Sequence, residues 1–209
     1  MVGTGVTLFT ALQISQIQTA MKIWSERSCK SLSIVPFVSL FTNCYTWYLY
    51  GLFKNDVLLI YPNFLGIFAG LGSALVYQYI SITYDKKSAK SNATIFLLSS
   101  IIVLLVTYLF HKTGGESIGL VGCIMSILLS GSPLAVMKSV ISNKSTASMV
   151  LSSSFIMWVN SFSWFLYGWT LEKPDAMIYL PNLIGFGLAS IQILLFIIYP
   201  SKKVSDTSK

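Results

Sequence analysis

The sequence predicts an all-α integral membrane protein: seven transmembrane helices forming two parallel three-helix bundles joined by a linker helix, a 3+1+3 plan. Three observations lead there. Only 10% of the 209 residues are charged and 54% are hydrophobic, where a soluble domain carries roughly 25% charged residues. The mean hydropathy of +0.71 is concentrated in runs of about 20 apolar residues, the length that crosses a bilayer as a helix. Finally, one pattern of Trp, Tyr, Gly, Pro and Asn occurs twice along the chain. Soluble enzyme classes are excluded at this point.

In chain order the apolar runs are Thr4 to Trp24, Ser33 to Phe53, Val57 to Thr83, Thr94 to Phe110, Ser117 to Ile141, Met149 to Gly168 and Ala176 to Tyr199. Their length favours helices over a barrel. No Asp, Glu or Arg lies within these cores, and Lys22 and Lys138 stand at helix ends, where a long side chain snorkels to the interface. The first run lacks a basic segment before it and a small-residue cleavage site after it, so it reads as a retained span. Residues 200–209 read as a polar cytoplasmic tail without a sorting motif, which leaves plasma, Golgi and vacuolar membranes all open.

The net charge of +7 does not point to nucleic acid, because the lysines are scattered between apolar runs rather than gathered on one face. Alternating the connections between two sides puts Lys22, Arg27, Lys30, Lys86, Lys87, Lys90, Lys138, Lys144, Lys202, Lys203 and Lys209 on one side. Only Lys54, Lys112 and Lys173 fall on the other. The positive-inside rule then makes the C-terminus cytoplasmic and, with an odd number of spans, the N-terminus extracellular or luminal. The sequons at Asn92 and Asn143 fall on the cytoplasmic side and are expected to stay unmodified. Cys29, Cys44 and Cys123 have neither paired nor metal-ligand spacing, so no disulfide framework, metal or cofactor is implied.

The duplication is read from four matches in one order. Trp47-Tyr48-Leu49-Tyr50-Gly51 recurs as Trp164-Phe165-Leu166-Tyr167-Gly168, and Met21-Lys22 as Met137-Lys138. Lys30-Ser31 recurs as Lys144-Ser145, and Pro62-Asn63 with Gly66 as Pro181-Asn182 with Gly185. The first three-helix repeat is therefore 4–83 and the second 117–199. A directly joined copy of a three-helix unit would be inverted; the helix over 94–110 restores the orientation, so the halves are parallel. Gly66 to Gly70 forms a GxxxG, echoed by Gly185 to Ala189, and reads as close helix packing.

In order and spacing these segments resemble the SWEET family of sugar facilitators, across about residues 5 to 200. The segments that carry the resemblance are Pro36-Phe37, Asn43-Cys44, Trp47, Tyr50-Gly51 and Asn63-Phe64-Leu65-Gly66. In the second half they are Ser132-Pro133-Leu134 with Met137, Ser163 to Gly168, and Pro181-Asn182 with Gly185 and Gln192. Parallel repeats about an axis along the membrane normal are an established feature of that family. The resemblance implies a sugar substrate of the glucose or sucrose class, with Asn63 and Asn182 hydrogen-bonding it and Trp47 and Trp164 clamping it. The chemistry agrees: an amide offers donors and acceptors to hydroxyls, and an indole face covers the apolar C–H surface of a sugar ring. The ordinary alternatives are an interfacial belt for Trp and helix packing for Asn.

Asn43 and Asn160 stand one turn before each Trp, on the same helix face, and extend the polar wall. Leu12 and Leu129 would by resemblance line the pocket, though single leucines ordinarily pack or face lipid. The family's four hinge prolines are matched here by Pro36 and Pro133, while Gln16 and Val150 occupy the other two positions. That departure bears on transport rate. Tyr50, beside Gly51, would by resemblance belong to an outer gate, with Asp175 as hydrogen-bond partner; an interfacial anchor is the competing reading. The resemblance also implies a homo-oligomer in the lipid bilayer.

No carboxylate or His lies within the spans, where a coupling proton would have to bind. The expectation is a facilitative, proton-independent and bidirectional sugar uniporter working by alternating access, and not an enzyme. The rivals are a proton-coupled amino-acid or cystine transporter of the wider proline-glutamine-loop superfamily, and a seven-helix receptor or adaptor that moves no solute. The first lacks its Pro-Gln dipeptide and membrane carboxylates here, and the second lacks charged recognition groups inside the bundle.

Overall fold

A computed structural model describes residues 2–29, 32–129 and 131–200. Among these residues the chain is helical throughout, without a strand: α1 (Val2–Glu26), α2 (Val35–Lys54), α3 (Val57–Tyr84), α4 (Lys86–Thr113), α5 (Gly115–Leu129), α6 (Gly131–Asn143), α7 (Leu151–Thr170) and α8 (Ala176–Ile198). The helices α5 and α6 flank residue 130, which lies outside the described residues, and together they cover the fifth expected span. The tail residues 201–209 also lie outside. The chain packs as two compact units, one of Val6–Gly122 and one of Met1–Gly5 with Cys123–Lys209.

On length and composition alone, Val57–Tyr84, Ala89–Thr113 and Ala176–Ile198 qualify as membrane spans. The helices α2 and α7 reach 20 residues each but carry hydroxyl, amide and aromatic side chains that lower their hydropathy. Several of those groups are turned inward. Thr42 and Thr46 are buried, and their hydroxyls donate to the carbonyls of Val38 and Thr42, one turn back, at 3.0 and 2.8 Å. In α7 Ser163 does the same toward Val159 at 2.8 Å. A polar group satisfied by its own helix can sit at membrane depth without an outside partner.

In the first unit α2 and α3 form the tightest pair, and α4 packs on both. Lys54 closes α2 and Asn55 adopts the left-handed conformation, φ 53°. Asp56 N–H then returns to the Gly51 carbonyl at 2.9 Å and Asn55 N–H to that of Leu52 at 3.2 Å, a Schellman closure. Asp56 is also the N-cap of α3, its carboxylate accepting from Leu58 N–H at 3.0 Å and Leu59 N–H at 3.3 Å. Two residues thus end one helix and start the next.

The core of this unit joins Ile23, Cys29, Ile34, Phe37, Val38, Ala74, Tyr77 and Ile80, with Ile95 and Phe96 of α4 against it. Tyr77 donates its hydroxyl to the Leu32 carbonyl at 2.7 Å. The helix α4 begins at Lys86, ahead of the apolar run at Thr94, because Asn92 is buried and donates to Ser81 Oγ at 2.9 Å. That bond also occupies the amide of the first sequon. Tyr45 OH and Thr107 Oγ1 lie 2.7 Å apart and tie α4 to α2.

In the second unit α7 pairs with α8, and α6 packs on α8. Met137, Val140 and Leu195 form its core with Met149, Leu188 and Tyr199, and Thr146 Oγ1 donates to the Tyr199 carbonyl at 2.9 Å. Glycine sets the close approach in both units. A methyl group at Gly70 would stand 2.6 Å from Phe41 N, so the expected small-residue packing of α3 is a backbone contact with α2. Leu97, Leu104, Tyr108, Ile197 and many other large apolar residues are exposed, a surface that suits lipid rather than water.

Candidate functional site

Each unit carries one copy of the same local arrangement. In the first, Trp47 of α2 is 8% exposed and Tyr50, one turn on, is 3% exposed. Their rings meet edge to face with centroids 5.8 Å apart. In the second, Trp164 of α7 is also 8% exposed and meets Tyr167 edge to face at 5.7 Å. The helical spacing of three places the tyrosine beside the indole and fixes its plane.

The two asparagines repeat as closely. Asn63 Nδ2 donates to the Leu59 carbonyl at 2.8 Å and Asn182 Nδ2 to the Ile178 carbonyl at 2.7 Å. Each follows a proline inside its helix, Pro62 in α3 and Pro181 in α8. A proline has no N–H to give the turn before it. In both cases one amide N–H is committed to the helix, and the second N–H and the amide oxygen remain for another partner.

The caps repeat too. Asp175 is the N-cap of α8, its carboxylate accepting from Met177 N–H at 3.0 Å, and its own N–H returns to the Gly168 carbonyl at 2.9 Å. The equivalent bond joins Asp56 to Gly51 through a connection two residues shorter. A methyl group at Gly168 would lie 2.8 Å from Tyr179 N, and one at Gly51 would lie 3.1 Å from Ile60 N. Side by side, the Trp-bearing and Asn-bearing helices of each unit are locked at these points.

Asn43 is half-buried and Asn160 likewise, each one turn before its Trp. Among the described residues, Asn160 Oδ1 is buried with no hydrogen-bond partner. Gln16 Oε1 in α1 is in the same condition. Such groups are rare and costly in a folded protein. Pro36 occupies the first turn of α2, where its missing N–H has no helical carbonyl to abandon. Val150 is the extended residue before α7, and Leu129 is exposed at the end of α5. Leu12 and Pro133 lie on α1 and α6, but their side chains are outside the described residues.

Four residues beside the site carry no site role in the sequence reading. Gln13, 3% exposed, donates from Nε2 to the Pro62 carbonyl at 2.9 Å. Asp56 stands before Pro62-Asn63 as Asp175 does before Pro181-Asn182, a match visible in the sequence once the caps are known. Cys44 and Ser161 hold equivalent places against glycine: a methyl at Gly66 would collide with Cys44 Sγ, and one at Gly185 would lie 2.9 Å from Ser161 Oγ.

Comparison with known proteins matches the family described as sugar efflux transporter for intercellular exchange twice, over residues 1–89 and 116–204. Among curated proteins, the bidirectional sugar transporter SWEET4 of Oryza sativa subsp. indica is 30% identical over 94% of this chain and 76% of its own length. The bidirectional sugar transporter SWEET3 of Arabidopsis thaliana is 31% identical over 96% and 77%. A solved structure of a eukaryotic SWEET transporter superposes with a TM-score of 0.82 at 25% identity, over 95% of this chain and 94% of that one.

Proposed function

This chain belongs to the SWEET family of sugar transporters, a family of carriers and not of enzymes, and on that premise we propose that it is a facilitative, bidirectional sugar uniporter. It is an all-α, multi-pass membrane protein with a seven-helix 3+1+3 order. In the proposed reading the two three-helix repeats, 4–83 and 117–199, joined by the linker helix 94–110, work by alternating access, exposing the sugar to either side in turn. Movement is governed by the sugar gradient alone. In the same reading the N-terminus faces outside or the lumen and the C-terminus the cytoplasm, which the distribution of lysines supports.

The observation that carries this reading is the repetition of one half-site in each unit. Both indoles meet a tyrosine edge to face, at 5.8 and 5.7 Å, and both asparagines give one amide N–H to the helix. Trp47 and Trp164 cover the apolar faces of the sugar ring, while the amide oxygens of Asn63 and Asn182 accept from its hydroxyls. The buried Oδ1 of Asn160 accepts from a sugar hydroxyl. Asn43, Leu12 and Leu129 complete the wall.

The chemistry of the spans supports proton independence. The acidic groups nearest the site, Asp56 and Asp175, spend carboxylate oxygens on helix caps, and His111 stands at the end of α4. Hinge motion falls at Pro36 and Pro133, near helix ends, with Gln16 and Val150 in the remaining positions. Tyr50 with Asp175 forms the outer gate. The test is counterflow in proteoliposomes of the purified chain. Labelled glucose or sucrose should accumulate transiently against preloaded unlabelled sugar without any pH gradient. Accumulation that requires an inwardly acid gradient contradicts uniport.

A further inference from the structure

A groove of about 790 Å³ runs between α1 and α3 from Thr10 to Ser25. Its walls are Ile14, Ile17 and Met21 on one helix and Leu65, Phe68 and Gly72 on the other, several of them largely exposed. Nothing lies within 4 Å of where a side chain at Gly72 would begin, so the floor is open. This groove shares Gln13 with the wall beside Asn63 but otherwise faces away from the proposed sugar site. Leu65 is two residues from Asn63, about 200° around the helix at 3.6 residues per turn, and Ile14 stands in the same relation to Leu12.

Length and charge define what fits. Fifteen helical steps at about 1.5 Å make a groove about 22 Å long, which is one leaflet of a bilayer about 40–45 Å thick with its headgroups. The charge is confined to one end: residues 2–21 and the whole of α3 carry none. Beside the Trp24 end stand Lys22 and Arg27, both exposed, with Glu26 and Asp85 as the acidic neighbours and Lys86 opening α4. The end is aromatic as well. Trp24 stacks on Tyr79 with centroids 5.5 Å apart, and the Arg27 guanidinium lies 5.8 Å over the Tyr84 ring. An apolar channel of leaflet length, ending in an aromatic collar and a net positive rim, has the form of an anionic amphiphile in negative.

We propose that the α1–α3 groove is a binding site for one anionic phospholipid, its acyl chain lying along Ile17 and Phe68 and its phosphate at Lys22 and Arg27. A phosphate oxygen accepts charge-assisted hydrogen bonds from both cations, and each basic residue near an anionic headgroup strengthens retention about fivefold. A zwitterionic lipid brings the same chain without net charge and is held less firmly.

The test is native mass spectrometry of the full-length chain released from detergent, with phosphatidylglycerol and phosphatidylcholine of identical chains supplied in equal amounts. The expected result is one retained lipid per chain and an enrichment of phosphatidylglycerol on the order of twentyfold. Lys22→Gln with Arg27→Gln should bring the two lipids near parity. The charge-conserving pair Lys22→Arg and Arg27→Lys should keep the preference. Gly72→Phe, which places a ring in open space, should lower retention of both lipids, and an unchanged melting temperature shows each variant folded. Equal retention of the two lipids by the unaltered chain overturns the proposal. So does a Gly72→Phe variant that changes oligomeric mass while lipid retention is untouched, since a second copy of the chain would then be the occupant.

Discussion

Gln13 donates from Nε2 to the Pro62 carbonyl oxygen at 2.9 Å, across 49 positions of chain. The bond fastens α1 to α3 one residue before Asn63, and Gln13 is buried, so its amide has no water to turn to. Gln13→Leu keeps the approximate volume and removes the donor. A buried hydrogen bond is worth about 1 kcal/mol net, and the expected loss is about 2–4 °C in melting temperature for a chain of this size, read by fluorescence-detected size exclusion after heating. No shift would mean that packing alone holds α1.

The orphan oxygen of Asn160 gives a sharper prediction for sugar. Asn160→Ala deletes an acceptor that has no protein partner, so folding should be unharmed or slightly improved. Sugar loses one hydrogen bond of about 0.5–1.5 kcal/mol, which raises KM about two- to tenfold at similar maximal rate. Uptake kinetics at graded sugar concentration separate the two parameters. A fall in maximal rate at constant KM would place Asn160 in movement rather than binding.

Gly168 tests the lock between α7 and α8. A first side-chain carbon there meets Tyr179 N at 2.8 Å, and backbone cannot swing aside as a flexible side chain can. Gly168→Leu should cost about 1–3 kcal/mol or more through overpacking, with a lower yield of monodisperse protein. Gly187, which has nothing within 4 Å, is the control: Gly187→Leu should be tolerated.

Cys29 lies in the connection between α1 and α2, fully buried, with its thiol donating to the Tyr77 carbonyl at 3.6 Å. Burial, the largest cause, raises its pKa, so at neutral pH less of it is thiolate than of an ordinary cysteine. Maleimide at pH 7 should leave Cys29 unlabelled in the folded protein and label it after denaturation. Raising the pH to 8 should not rescue labelling, since access is blocked as well. Prompt labelling would show that the connection opens.

The helix count and the duplication were legible because both depend on pattern: apolar run length, and a Trp-Tyr-Gly and Pro-Asn series written twice. The start of α4 was not, because Lys86 to Asn92 is polar and its tertiary contact, Asn92 to Ser81, is not written in hydropathy. Pro36 reads in sequence as a kink, yet it falls in the first turn of α2, a distinction of a few residues that hydropathy does not resolve. Asp175 was visible as a polar residue on a loop, but its capping of α8 follows from where the helix begins. Gln13 and Asn160 are both amides in apolar helices. One is satisfied and the other orphaned, and only the neighbours decide which.

The most direct test of the central claim is uptake of radiolabelled glucose and sucrose into cells lacking their own hexose carriers, comparing the unaltered chain with Trp164→Ala and Asn182→Ala at equal surface expression. The account predicts uptake of at least one sugar, unaffected by a protonophore and abolished by either substitution. Uptake of neither sugar by surface-expressed protein would contradict it, unless proline restored at Gln16 and Val150 recovers transport, and uptake that survives both substitutions would contradict the site.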